Sequence, residues 1–444
     1  MSFDHREPGT PAADWDARFD SALLDLDGVT GVVVLAPHPD DETLGAGGLI
    51  ATLAARGIPA AVVLATLGEN SHPGSPTHTP SELAAVRRSE FEAATDALGP
   101  EVRRSVVGVP DGCLDDGRDA ITAALEAELE FLGSTPLLVA PWHGDGHRDH
   151  RIGAEIAQAL AARRGLALLE YPIWLWHWGG GDDGDAPWAR AATLPLDDAA
   201  RARKSAALEA YASQIAPLSP AVEDSAILHP GMQAHFERPA ELFFSSQSRS
   251  AQHFDEHYAR HPGGWDFDES WYERRKRGLL LAALPRERFH SALELGCATG
   301  ALTAALAERC EAILGVDAAA SAIDAAHTRA PGLRFEQRML PHEWPDGRFD
   351  LVVVSEVGYY LAPADLTELV SRAVESLDDD GVLVLCHWRH PDSDAVMSGD
   401  AVHDAVVAGW RGTRLVHHEE PDFVLDVLSV RPENSVAREQ GLLP

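Results

Sequence analysis

Twice along this chain a short apolar run breaks off into a turn of small or charged residues and then into a helix-patterned stretch. GVVVLA (31–36) leads into PHPDDETLGAGG, and SALELG (291–296) leads into CATGALTAALAERC. A run that is apolar at every position suits a strand buried on both faces. Strands alternating with helices are the pattern of a parallel sheet covered on both sides. The first series continues through AAVVLAT (60–66), SVVGV (105–109), LLVA (137–140) and LALLEY (166–171), with helical patterns over 43–56, 81–99 and 150–165. The second continues through AILGVD, FDLVVVSE and GVLVLCHW. It ends in TRLVHHEEPDFVLDVLSVRP, which reads as two antiparallel strands at a sheet edge. The expected fold is α/β, with two domains, each a mostly parallel Rossmann-like sheet with helices on both faces. A length of 444 residues agrees, being too great for one ordinary core and suited to two of about 200 residues.

Between the two series the alternation lapses. Residues 172–250 hold a tryptophan-rich run (PIWLWHWGGG), the helical KSAALEAYASQI, and RPAELFFSSQSRS, which has no clear period. The boundary is placed there, giving domains 1–248 and 249–444. Trp174, Trp176 and Trp178 alternate and would share one face of a strand, either stacking on a sugar ring or packing in the core or the domain junction. GGGDDGD (179–185) reads as an exposed loop.

Charge and cysteine usage narrow the partners. Against 36 basic residues stand 70 acidic ones, for a formal net charge of −34. Such a surface repels phosphate backbones and anionic headgroups, which argues against nucleic-acid and membrane partners. No apolar run approaches the roughly 20 residues of a membrane span, and the acidic N-terminal stretch lacks the hydrophobic run of a secretory signal. Cys113, Cys297, Cys310 and Cys386 are widely spaced with no CxxC pair, which fits a reducing cytoplasm better than a disulfide framework or a cysteine zinc site.

Chemistry concentrates where strands end. After GVVVLA, His38 stands beside the carboxylates Asp40, Asp41 and Glu42. Helix capping explains an acid there but not the histidine. After LLVA comes PWHGDGHRDHRIGAEIA, with His147, Asp149 and His150 again at a strand end opening into a helix. Two such clusters can meet across one sheet edge. Two imidazoles and a carboxylate, with a fourth position open to water, are the composition of a catalytic zinc site.

At these residues the sequence resembles the PIG-L (LmbE-like) family of zinc-dependent N-deacetylases, through Pro37-His38-Pro39-Asp40-Asp41-Glu42 and His147-Arg148-Asp149-His150. The likeness extends over roughly residues 30–245. The resemblance implies zinc on His38, Asp41 and His150, and Asp40 as the general base toward water. It implies His147 as the group that stabilises the oxyanion or protonates the leaving amine, and Asp149 as an orienting partner of an imidazole. Arg148 stands where a common form of the motif has proline. The family mainly removes acetyl from N-acetylglucosamine-type sugars.

The second turn, ELGCATG, places Gly296 and Gly300 before a helix, and AILGVD ends a strand at Asp317, suited to ribose hydroxyls. Ala298 stands where a dinucleotide Gly-x-Gly-x-x-Gly fingerprint starting at Gly296 needs its second glycine. Together with FDLVVVSEVGYYL, these segments resemble class I S-adenosylmethionine-dependent methyltransferases, and nodulation protein S (NodS)-like N-methyltransferases in particular, over about 254–431. By position, the resemblance places Glu294, Gly296, Cys297 and Gly300 at the methionine end of S-adenosyl-L-methionine. Asp317 falls at the ribose, Met339 and Leu340 at the adenine, and Trp271 on a covering helix. Glu356 and Tyr359 would face the acceptor, with Glu356 the carboxylate near the amine. One resemblance implies an enzyme that unmasks an amine and the other an enzyme that methylates one, so their fusion suggests successive steps on a small amino-sugar or glycoconjugate. The alternatives are a second half that acts on a different substrate, or one that serves only as a binding or scaffolding module.

Overall fold

A strand whose every residue is buried must be packed on both faces, and Gly31–Ala36 is such a strand. In the computed structural model, which describes residues 4, 6–132, 136–181, 186–246, 249, 251–260, 270–390, 395–431 and 435–443, it lies inside the first of two sheets. This sheet comprises β1 (Ala22–Leu23), β2 (Gly31–Ala36), β3 (Ala60–Leu64), β4 (Arg103–Val106), β5 (Pro136–Pro141), β6 (Leu168–Tyr171), β7 (Ala191–Pro195) and β8 (Ala240–Ser245). Their order is β1-β7-β8-β6-β5-β2-β3-β4. β8 runs antiparallel to β6 and β7, and the other pairings are parallel. Alternate residues of β2 feed two cores. Val32, Val34 and Ala36 pack with Leu49, Ile50 and Phe91, while Val33 and Leu35 pack with Ile121, Leu125, Ile156 and Leu160. Each fully buried aliphatic side chain contributes roughly 1.5–3 kcal/mol, so helices on both faces hold this strand in register.

The second sheet comprises β9 (Phe289–Leu295), β10 (Cys310–Asp317), β11 (Arg334–Gln337), β12 (Phe349–Ser355), β13 (Leu377–Trp388), β14 (Thr413–Glu419) and β15 (Phe423–Ser429). Their order is β11-β10-β9-β12-β13-β15-β14, with only β15 antiparallel to its neighbours. The chain order reverses beside β2 in one sheet and beside β9 in the other. Ligand crevices open at such switch points. The chain folds as two compact units, Met1–Ala161 with Leu166–Ser246, and Gln247–Pro444 with Ala162–Gly165. The boundary expected at 248, and most of the loop expected at 179–185, lie outside the described residues. Among the described residues no helix is long and apolar enough to cross a membrane.

Three expectations change. The tryptophan run is a short helix, Leu175–Trp178, rather than a strand. Trp176 is buried there, edge-on to Trp15 and stacked near His235, so it packs the core. The segment RPAELFFSS, which shows no period, is β8, where Leu242, Phe243 and Phe244 are consecutively buried and alternation is lost. The strand expected at 105–109 is shifted to Arg103–Val106, because Gly108 turns away with φ +81°.

Candidate active sites

In the first unit, β2 ends at Ala36 and the turn through His38 and Asp40 passes directly into the helix Asp41–Ala55. Asp40 holds φ +116°, a conformation that costs a residue with a side chain about 1–3 kcal/mol and persists where neighbours enforce it. One neighbour is Arg87, carried by the helix Pro80–Leu98, whose start is set by a Thr79–Glu82 capping box and Pro80. The buried Arg87 guanidinium donates to the carbonyls of Gly68 (2.9 Å) and Pro39 (2.5 Å) and lies 3.5 Å from Asp40 Oδ2. β5 lies beside β2, and the loop after it brings His147 and His150 to the same edge.

Asp41 bridges the two strand ends, with Oδ2 3.2 Å from His38 Nδ1 and Oδ1 3.3 Å from His150 Nε2. The His147 ring centre lies 5.0 Å from that of His38 and 4.9 Å from that of His150. On its far side, His38 Nε2 lies 3.2 Å from Asp111 Oδ1 and 3.4 Å from Asp149 Oδ2. Asp145, fully buried, receives His150 Nδ1 at 2.7 Å and the backbone N–H groups of Ile173, Trp174 and Leu175. A carboxylate only accepts, so His150 gives an Nδ1 proton to Asp145, and its Nε2 faces Asp41, where a metal ion would take the place of a second proton.

The electrostatics favour a cation at this point. Burial would lower His150, but Asp41 and Asp145 raise it to about 9. His38 is likewise raised against its burial by Asp111, Asp149 and Asp41. Burial would raise Asp41, but His150 and His38 hold it well below the usual carboxylate range. Asp40 moves upward, through burial opposed by Arg87 and reinforced by Asp41. Burial, with His150 and His38, pushes His147 down to about 3, leaving it neutral. His38, His147 and His150 offer ligand atoms within 4.8 Å of one another, and His150 Nε2 and Asp149 Oδ1 are buried without a hydrogen-bond partner. The donor set therefore fits a zinc ion.

In the second unit, residues from several strand ends line a cavity of about 480 Å³. Glu294, Gly296, Cys297, Asp317, Met339 and Leu340 are on its wall. Gly296 has φ +74°, and a Cβ there would lie 2.8 Å from Val357 Cβ, so glycine is required for this approach. Gly300, φ +77°, precedes the helix Ala301–Ala307 and is not on the cavity wall. Asp317 accepts the N–H groups of Ala298 and Ala319, both at 2.9 Å. Glu294 is buried and bonded by the Thr303 hydroxyl, and burial pushes it up to about 8. Burial also drives the Cys297 thiol far upward, which suits packing and not nucleophilic chemistry.

Glu356 follows β12 with φ +57° and faces the same cavity. Its carboxylate receives Lys276 Nζ (2.6 Å), the Tyr359 hydroxyl (2.6 Å) and the Trp388 N–H (3.0 Å). Lys276 also reaches Glu273 at 3.0 Å. Trp271 is corrected: it is 70% exposed and does not line the cavity. The helix Trp271–Ala283 presents Tyr272, Glu273, Lys276 and Leu280 to the cavity, a helical spacing that excludes position 271. Sequence reasoning missed Asp111, Asp145, Arg87 and Lys276. Asp111-Gly112 after β4 repeats the strand-end acid pattern and could have been noticed, whereas Arg87 lies inside an ordinary amphipathic helix.

The model of the GlcNAc-PI de-N-acetylase (PIG-L) family matches residues 33–161, and that of a methyltransferase domain matches 292–381. The 1D-myo-inositol 2-acetamido-2-deoxy-alpha-D-glucopyranoside deacetylase of Corynebacterium diphtheriae is 30% identical over 239 residues, covering 44% of this chain and 78% of that protein. Nodulation protein S of Rhizobium tropici is 32% identical over 125 residues, 27% of this chain and 52% of that protein. The chain spans about half the length of most of the curated relatives it matches. Among solved structures, the N-methyltransferase NodS of Bradyrhizobium japonicum with S-adenosyl-L-homocysteine matches at 24% identity and a TM-score of 0.37, over 42% of this chain and 100% of that one. The chain belongs to the GlcNAc-PI de-N-acetylase family and joins to that domain a methyltransferase domain.

Proposed function

We propose that residues 1–248 hydrolyse the N-acetyl group of an N-acetylglucosamine-type sugar or glycoconjugate, and that residues 249–444 then methylate the freed amine with S-adenosyl-L-methionine. The observation that carries the first step is the meeting of His38, Asp41 and His150 from two strand ends, with Asp40 and His147 beside them. His38, Asp41 and His150 would hold zinc. Bound zinc acidifies water and polarises a carbonyl. Asp40 takes the proton from water as the C–O bond forms, and returns it to the nitrogen as the C–N bond breaks. The neutral His147 imidazole donates a hydrogen bond to the developing oxyanion. The products are acetate and a free amine.

The cavity in the second unit supports the second step. S-adenosyl-L-methionine supplies an electrophilic methyl on a sulfonium, which a neutral amine attacks to leave S-adenosyl-L-homocysteine. The Tyr359 hydroxyl commits its proton to Glu356, so its oxygen can accept from a substrate N–H and orient the nitrogen lone pair. Lys276, bonded to Glu356 and Glu273, holds the Glu356 carboxylate in place beside Tyr359. Incubation of the zinc-loaded chain with an N-acetylglucosaminyl glycoside and S-adenosyl-L-methionine tests the reading by mass spectrometry. Acetyl loss followed by methyl gain is expected, and a methylated product that keeps its acetyl group contradicts the order.

A further inference from the structure

We propose that His387, His403 and Asp426 form a buried chain of imidazoles, locked in one tautomer, that sets the turn Glu356–Tyr360 against the cavity and makes all three positioning residues for the acceptor side of the second site. None of the three lines the cavity, and all are buried. The Gly358 N–H can only donate, and it points at His387 Nε2 at 3.2 Å. That nitrogen must therefore carry a lone pair, and the His387 proton sits on Nδ1. It is donated to His403 Nε2 at 3.0 Å, so the His403 proton sits on Nδ1 in turn and is given to Asp426 Oδ2 at 2.6 Å. Asp426 Oδ1 receives Arg414 Nε at 2.5 Å, which anchors the chain on β14. One carboxylate thus determines the protonation of two rings and the acceptor that meets the turn.

The turn needs such a support. Glu356 holds a left-handed φ of +57°, a strained state that persists only when its surroundings over-determine it. A Cβ on Gly358 would lie 2.7 Å from Val402 Cγ1 and 3.0 Å from His387 Nε2, so the backbone seats directly on the imidazole. The Tyr359 ring stands edge-on to His387 at 5.5 Å, and its hydroxyl carries the arrangement to Glu356. Burial and the neighbouring His403 suppress protonation of His387, which agrees with a neutral, accepting Nε2.

Asp426→Asn inverts the chain without changing its size. Arg414 can only donate, so the amide oxygen stays with it and the amide NH2 turns to His403 Nδ1. Both imidazoles must then move their protons to Nε2, and His387 presents N–H to the Gly358 N–H. In the full chain labelled with 15N-histidine, both wild-type rings are expected protonated at Nδ1, and both at Nε2 in the variant. Gly358 amide exchange should quicken about tenfold or more. Transfer to an acceptor amine should fall about tenfold while affinity for S-adenosyl-L-homocysteine stays within about twofold. His387→Gln, whose side-chain oxygen can still accept from Gly358, should keep most of the exchange protection, and it serves if Asp426→Asn does not fold. Nε2-protonated rings in the wild type, or an unchanged Gly358 exchange in a folded inverted variant, would overturn the proposal, as would loss of homocysteine-product affinity in step with turnover. The turnover arm rests on the methyl-transfer reading, but the tautomer and exchange arms do not. A wild type that is inactive yet carries Nδ1 protons would break that reading alone.

Discussion

The turn after β2 and the turn after β9 occupy the same place in their sheets, yet they are built for different work. The first is dense in charge: His38, Asp40 and Asp41 stand within one turn and meet His147 and His150 from the neighbouring strand. The second is small and nearly neutral, with Gly296 and Gly300 shaped for close approach and its charges delivered later by Asp317, Glu356 and Lys276. Among the described residues, the non-glycine positions with positive φ are Asp40, Ala298 and Glu356, each just beyond the end of a central strand. Strain of about 1–3 kcal/mol per residue is stored at the same structural point in both units, next to an acid in one case and to a cofactor-sized cavity in the other. One topology supplies the location, and the side chains in the turn set its charge.

If that division is right, each site should fail alone. Chelation of zinc, or Asp41→Ala, should abolish acetate release and remove metal by elemental analysis while leaving S-adenosyl-L-homocysteine binding by calorimetry unchanged. Loss of both activities would break the comparison. Asp40→Asn should keep its metal and lose about 10²–10⁴-fold in amide hydrolysis, with methylation of a pre-deacetylated amine unaffected. Comparable hydrolysis at matched metal content would remove Asp40 as the base. Tyr359→Phe should lower methyl transfer about tenfold, through acceptor orientation, without changing acetate release.

The smallest effect concerns stability. Glu294 is held near 8 by burial, against an unfolded value of 4.5. Between those values the folded unit keeps a proton that the unfolded chain has released, so its stability falls as pH rises through that window. Glu294→Gln should flatten the fall, seen as a melting transition several degrees less sensitive to pH between about 5 and 8. A wild-type transition that rises over the same range would contradict a buried neutral carboxyl.

The strand-end logic was legible because it is local. Parallel strands buried on both faces read as unbroken apolar runs, and His38, Asp41, His147 and His150 sit in two short motifs. What escaped depends on distance in sequence. β8 slots between β6 and β7, and its consecutive buried Phe243 and Phe244 leave no period to detect. Asp111 and Asp145 reach His38 and His150 from separate loops, and Lys276 meets Glu356 across 80 residues. Trp271 is placed on a covering helix by the methyltransferase resemblance alone. The phase of its helix, which one residue cannot disclose, puts Tyr272 at the cavity instead.

In the proposed relay one nitrogen passes through two chemistries in a fixed order. The direct measurement is product analysis of Asp40→Asn, zinc-loaded and supplied with S-adenosyl-L-methionine, given either an N-acetylglucosaminyl glycoside or the same glycoside already deacetylated. No methylated product is expected from the first, and a wild-type rate of methylation on the second. Methylation of the acetylated glycoside, or none on the free amine, would contradict the relay.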